Sequence, residues 1–149
     1  MKEELKLNVQ LLENSISKPN YKSLGASGID LSAGISSKTV IEPEKFKIIP
    51  TGIILEIPSG YEGQIRSRSG LASKNGIVVL NSPGTIDCDY RGEIKVILIN
   101  LGNKIFEVLP SMRIAQLVIA EISKVKINYV KKIITTTKRG EKGFGSTGL

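Results

Sequence analysis

Five of the 21 basic residues are arginines, Arg66, Arg68, Arg91, Arg113 and Arg139, and each lies in or beside a short polar segment studded with Gly, Ser or Asp. The other sixteen are lysines. A guanidinium is a planar fork that grips an anion with paired hydrogen bonds, whereas an ammonium acts as a point charge. The sorting therefore points to places where the geometry of an anion matters, phosphate first, with structural ion pairs as the alternative. The 149 residues include no histidine. Proton transfer near neutral pH must then fall to a carboxylate, a lysine, a tyrosine or the single thiol, Cys88, and His-based triads and the usual His zinc sites are excluded.

Five segments carry residues fit for chemistry. In Ala26-Ser-Gly-Ile-Asp-Leu-Ser-Ala33, the carboxylate of Asp30 interrupts an apolar strand start, which is costly unless it is paired or faces a solvated site. In Gly63-Gln-Ile-Arg-Ser-Arg-Ser-Gly-Leu-Ala72, a strand runs into Ser69 and Gly70, where helix-start amides, a hydroxyl and the Arg68 guanidinium converge as an anion site would require. A capped helix beside a solvated arginine is the plainer reading. Asn81-Ser-Pro-Gly-Thr-Ile-Asp-Cys-Asp-Tyr-Arg-Gly-Glu93 sets two carboxylates, Asp87 and Asp89, and a tyrosine on a tight connection. It is not a calcium loop, because Arg91 stands where an oxygen ligand is needed and Leu98 where the bidentate glutamate belongs. If strand alternation holds there, Asp87 and Asp89 point the same way. In Met112-Arg-Ile-Ala-Gln-Leu117, Arg113 and Gln116 punctuate an apolar strand, as an edge-strand ion pair or with the Gln116 amide donating to a phosphate oxygen. The fifth segment, Arg139-Gly-Glu-Lys-Gly-Phe-Gly-Ser-Thr-Gly148, has the glycines and the ring of a cover that folds over a planar ligand, but it is no Walker A loop.

The elements that must hold these residues are strands. Leu5, Leu7, Val9 and Leu11 alternate with Lys6, Asn8 and Gln10, and period two returns in 29–33, 39–41, 46–49, 53–57, 63–66, 77–80, 93–100, 105–109, 114–122 and 126–133. Turn residues at Pro58-Ser-Gly60, Ser82-Pro-Gly84, Leu101-Gly-Asn103 and Pro110-Ser111 separate them at all-β sandwich or barrel spacing. One helical turn is expected over Gly70 to Lys74, with Ser69 as N-cap and a stop near Asn75-Gly76. The length predicts one domain, and the Thr-, Lys- and Gly-rich stretch 135–149 reads as a mobile tail. A net charge of +7 favours anionic ligands, while scattered lysines and 5% aromatic residues argue against stacking on single-stranded nucleic acid. One cysteine and no long apolar run predict a cytoplasmic protein without a membrane span.

In order and across the whole chain, the five segments resemble the five motifs of the homotrimeric dUTPase family, the dUTP pyrophosphatases. Gly84-Thr-Ile-Asp-Cys-Asp-Tyr-Arg-Gly-Glu93 and Gly143-Phe-Gly-Ser-Thr-Gly148 are the most specific matches. Ser111-Met112 ahead of Arg113 is a small departure, since the family often has a glycine there.

The resemblance implies a β jelly roll over residues 1–134, assembled as a homotrimer with sites shared between subunits, and a C-terminal lid over 135–149. It implies hydrolysis of dUTP to dUMP and pyrophosphate with Mg2+ held through substrate phosphates and water. Asp87 would orient and deprotonate the attacking water, with Asp89 secondary. Tyr90 would pack on the deoxyribose and exclude a 2′-hydroxyl. Asn81 and the hairpin residues Gly84, Thr85 and Ile86 would read uracil and reject a C5 methyl. Arg68, Ser69, Gly70 and Gln116 would hold phosphates. Phe144 and Gly145 would cover the base while Arg139, Ser146 and Thr147 close over the γ end. Asp30 would brace the sugar pocket or a metal-bound water, and Arg66, Arg91 and Arg113 would serve either interchain ion pairs or substrate. A dCTP deaminase of the same fold is the near rival, but Val96-Ile-Leu-Ile-Asn100 lacks the glutamate that the resemblance would then require. A non-catalytic nucleotide-binding trimer is the rival from another class.

Overall fold

The computed structural model describes residues 5–134, 136–141 and 143. Eleven strands and one helix follow in the order β1 Asn8–Leu11, β2 Ile29–Ser32, β3 Thr39–Ile41, β4 Phe46–Pro50, β5 Ile53–Glu56, β6 Tyr61–Arg66, α1 Ser69–Asn75, β7 Ile77–Val79, β8 Gly84–Ile86, β9 Lys95–Asn100, β10 Phe106–Val108 and β11 Arg113–Glu121. All pairings among them are antiparallel. The two larger sheets run β2-β11-β6-β8 and β4-β9-β7, with the pairs β1-β5 and β10-β3 beside them. Neighbours so far apart in the chain are those of a jelly-roll-like β fold.

Period two explains the core. Alternate residues of the sheets, among them Leu31, Ile49, Leu55, Ile65, Ile77, Val96, Leu98 and Leu117, are almost fully buried in one cluster. On the β4-β9-β7 sheet the other set, Phe46, Ile48, Val78, Ile97 and Ile99, faces outward and is just as apolar. That face bears on assembly.

The structure departs from the sequence reading at three places. Residues 126–133, expected as a strand, carry no secondary structure, and Ile127, Tyr129, Val130 and Ile133 are exposed. Their alternation is real, but a strand forms only against an edge, and no described residue pairs with them. Ser69 is not the N-cap. Arg68 holds that position in extended backbone without a side-chain cap bond, and Ser69 opens the helix, which Gly76 ends in the left-handed region. Gly84–Ile86, expected within a connection, is a strand paired with β6.

Candidate active site

Asp30 sits in β2 directly across from Gln116 in β11, and Gln116 in turn lies across from Arg66 in β6. The register thus sets three polar groups from three distant segments in one row. Arg113 Nη1 donates to Asp30 Oδ2 at 2.9 Å, and Arg68 Nε approaches Oδ1 at 3.5 Å. Arg68 Nη1 also donates to the Arg113 carbonyl at 2.8 Å. Asp30 is 7% exposed, and its buried Oδ1 makes no hydrogen bond, so the two guanidinium charges are what offset its burial. The remaining donors of both forks, the amides opening α1, and the open space beside Gly70 leave an electropositive patch suited to phosphate. Arg113, ambiguous from sequence, pairs within its own chain.

The hairpin makes a second, separate group. Asp87 and Asp89 lie in a turn closed by Tyr90 N donating to the Asp87 carbonyl at 3.1 Å, so strand alternation does not govern their directions. Asp87 lines a cleft of about 190 Å³ with Thr85, Ile86, Tyr90, Glu93 and Lys95. Asp89 lines another with Arg91 and Lys6, and both carboxylates, with the free thiol of Cys88, line a third beside Tyr61 and Glu62. Arg91 donates to the Cys88 and Tyr90 carbonyls at 2.7 and 2.9 Å, which makes it the clasp of this turn. Arg66 is engaged with Gln64 Oε1.

Three glycines make room for three of the expected site side chains, a role that sequence reasoning missed. A Cβ on Gly28 would lie 3.1 Å from Gln116 Cβ, one on Gly84 3.1 Å from Asn81 Nδ2, and one on Gly92 2.5 Å from Tyr90 Cζ. A glycine two to three residues from a polar or aromatic candidate was the available signal for Gly84 and Gly92; Gly28 approaches Gln116 only through the sheet.

The two groups do not meet. Ile86 pairs with Gly63, so Asp87 falls beside Glu62 at one end of β6, while Arg68 follows the other end. From Glu62 to Arg68 the backbone makes six rises, about 20 Å of extended chain. Arg139 lies on an exposed turn in which Gly140 N donates to Thr137. Phe144, Gly145, Ser146 and Thr147 lie outside the described residues. Among the described residues no group of three or more His, Cys, Asp or Glu is disposed to hold a metal, and no helix is long and apolar enough to cross a membrane. A divalent cation that arrives on phosphate oxygens and water fits this donor set, because it needs no cage of protein ligands.

A dUTPase family model matches residues 14–148. The deoxyuridine 5′-triphosphate nucleotidohydrolase of Orientia tsutsugamushi (strain Ikeda) is 52% identical over 149 residues, covering 100% of this chain and 99% of that protein. The Staphylococcus bacteriophage 80alpha dUTPase, solved with dUPNHPP, superposes with a TM-score of 0.83 at 30% identity over 97% of this chain and 99% of that one. A mutant dUTPase from phage phi11 of S. aureus, described with a structural Mg(II) ion, gives 0.76 at 25% identity over 85% of this chain and 97% of that one.

Proposed function

The chain belongs to the dUTPase family and hydrolyses dUTP to dUMP and pyrophosphate, and from that premise we propose that Asp87 is the carboxylate that drives the reaction. The observation that carries this reading is the hairpin cleft, where Asp87 and Tyr90 share one small volume with Thr85, Ile86, Glu93 and Lys95. A sugar against the Tyr90 ring leaves the α-phosphate at the Asp87 carboxylate. Asp87 orients a water and takes its proton as the oxygen attacks the α-phosphorus in line, and pyrophosphate leaves on the opposite side. Asn81, braced over Gly84, reads the uracil edge with the backbone of Gly84, Thr85 and Ile86; Asp89 supports the hairpin from its outer side. Arg68, Ser69, Gly70 and Gln116 hold the phosphates, and Asp30 positions Arg68 and Arg113. No side chain of this chain would ligate magnesium directly; held through substrate phosphates and water, it would supply charge neutralisation at the phosphates. Residues 135–149 act as a lid, with Phe144 and Gly145 on the base and Arg139, Ser146 and Thr147 at the γ end.

We further propose a homotrimer with shared sites. Asp87 must reach the water attacking the α-phosphorus while Arg68 reaches oxygens of the same triphosphate, each within hydrogen-bond distance, about 3 Å, of its own target atom. A single chain keeps Asp87 and Arg68 about 20 Å apart along β6, so a second copy supplies one of the two groups. The outward apolar face of β4-β9-β7, with Phe46 and Ile48 more than half exposed, and the unpaired alternating residues 126–133 supply surface and an edge-seeking segment for such contacts. The cytoplasm, where a free Cys88 stays reduced, suits the enzyme.

The test is pyrophosphate release with magnesium from dUTP, dTTP, dCTP and UTP in parallel, with identification of the products. Selective conversion of dUTP to dUMP is expected. Turnover of dTTP or UTP at a comparable rate would overturn the assignment of the hairpin as the selective wall.

A further inference from the structure

Glu93 stands at the root of the hairpin, and its carboxylate reaches away from the turn into the body of the fold. Oε1 accepts from Gly52 N and from Asn14 Nδ2, each at 2.9 Å, and Asn14 Nδ2 donates in addition to the Gly34 carbonyl at 3.1 Å. One oxygen therefore ties the segment after β1 to the β4–β5 turn, and the same Asn14 amide reaches on to the β2–β3 connection. The next residue, Ile94, is fully buried; its N–H donates to Ile53 O, and its carbonyl accepts from both the amide and the hydroxyl of Thr51. The main chain at Ile94 is thus held by three hydrogen bonds to Thr51 and Ile53, on the same β4–β5 turn that Glu93 Oε1 grips.

The same residue meets the site through its backbone. Tyr90 OH donates to the Glu93 carbonyl at 3.1 Å, and Gly92 leaves the ring the space to reach it. Both Tyr90 and Glu93 line the cleft that contains Asp87. Tyr90 itself is 44% exposed, so packing alone does not fix its ring. Glu93 Oε2 adds little to the anchor, since Lys95 Nζ lies 4.0 Å away and is more than half exposed.

We infer that Glu93 is a positioning residue that sets the location of the Tyr90 ring, and through it the discrimination between deoxyribo- and ribonucleotide, by clamping the carbonyl to which Tyr90 donates. The inference rests on the reading of Tyr90 as the wall against the sugar. The clamp needs an acceptor at Oε1 and not a charge, so Glu93→Gln keeps it and Glu93→Ala removes it.

The experiment uses the full-length enzyme and measures kcat and KM for dUTP and UTP, together with thermal midpoints, for Glu93→Ala, Glu93→Gln and Tyr90→Ala. For Glu93→Ala the expected result is a fall of about tenfold or more in the preference for dUTP over UTP, with Glu93→Gln within about twofold of the parent. Adding Glu93→Ala to Tyr90→Ala is expected to change the preference little further, because coupled groups are not additive. A Glu93→Ala enzyme that melts lower but keeps its dUTP preference would overturn the inference and leave Glu93 a structural residue. Loss of preference in Glu93→Gln equal to that in Glu93→Ala would overturn the acceptor account. An unchanged preference in Tyr90→Ala would instead sink the reading of Tyr90, separately from the role of Glu93.

Discussion

Asp30 and Arg113, 83 positions apart in the chain, are joined by a 2.9 Å charge-assisted hydrogen bond across the β2–β11 pairing, and the same carboxylate draws Arg68 to 3.5 Å. Two arginines that would repel one another are held side by side by one buried anion. Preorganised cations of this kind meet a phosphate without first having to be ordered.

Replacing Asp30 by alanine should therefore weaken substrate binding and the fold together. Because Arg68 and Arg113 are 25% and 47% exposed, water takes up part of the freed charge. The loss of stability should be about 1–3 kcal/mol, below the range for a fully buried pair. Urea unfolding reads that term, and a raised KM for dUTP with a smaller change in kcat reads the other. Unchanged stability and KM would mean that the three side chains act independently.

Asp87→Asn removes the proton acceptor while keeping the shape of the hairpin. Turnover of dUTP should fall by about 10²–10⁴-fold or more with binding retained. Calorimetric titration with dUTP beside a pyrophosphate assay separates the two; an equal loss of binding would make Asp87 chiefly structural.

Gly92→Ala places a methyl where the Tyr90 ring lies. The obstructed atoms belong to the far end of a half-exposed side chain, so the ring swings aside and the thermal midpoint should move by only a few degrees, about 1 kcal/mol. Selectivity for dUTP over UTP should drop. A severe loss of stability with selectivity intact would place the strain in the turn backbone instead.

Sites shared between subunits allow complementation. Asp87→Asn and Arg68→Ala enzymes, each inactive alone, should regain part of the parental activity after joint unfolding and refolding, as mixed oligomers assemble some sites with both groups intact. Sedimentation should give a trimer for each. No recovery from mixed trimers would locate the whole site within one chain.

Ending the chain at Lys138 removes Arg139 and the Gly-rich segment. The truncated protein should keep its thermal midpoint and its oligomeric state while turnover collapses, since a lid contributes to closure and not to the core. Unfolding of the truncation would assign the segment to the fold.

Local information made the strands and the chemistry legible. Alternation every second residue is dictated by the pleat, so Ile29, Leu31, Ile65 and Leu117 announced a buried face before any partner was known. The motif residues, in their order along the chain, resemble those of the dUTPase family closely enough to name the reaction, whereas their types alone pointed only to an anion site.

Partnership was decided by the tertiary structure. That Asp30 faces Arg113, that Glu93 reaches Asn14 79 positions away, and that Gly28 yields space to Gln116 all depend on which strands become neighbours after long loops close, and a local pattern carries no record of that. The alternation at 126–133 makes the same point from the other side: the period was present in the sequence, but among the described residues no strand takes up its backbone hydrogen bonds, and it formed no strand. The sequence by itself determined most of the strands, the helical turn and the chemical groups. Only the fold decided that Asp87 and Arg68 stand at opposite ends of β6, where one chain alone does not bring them together.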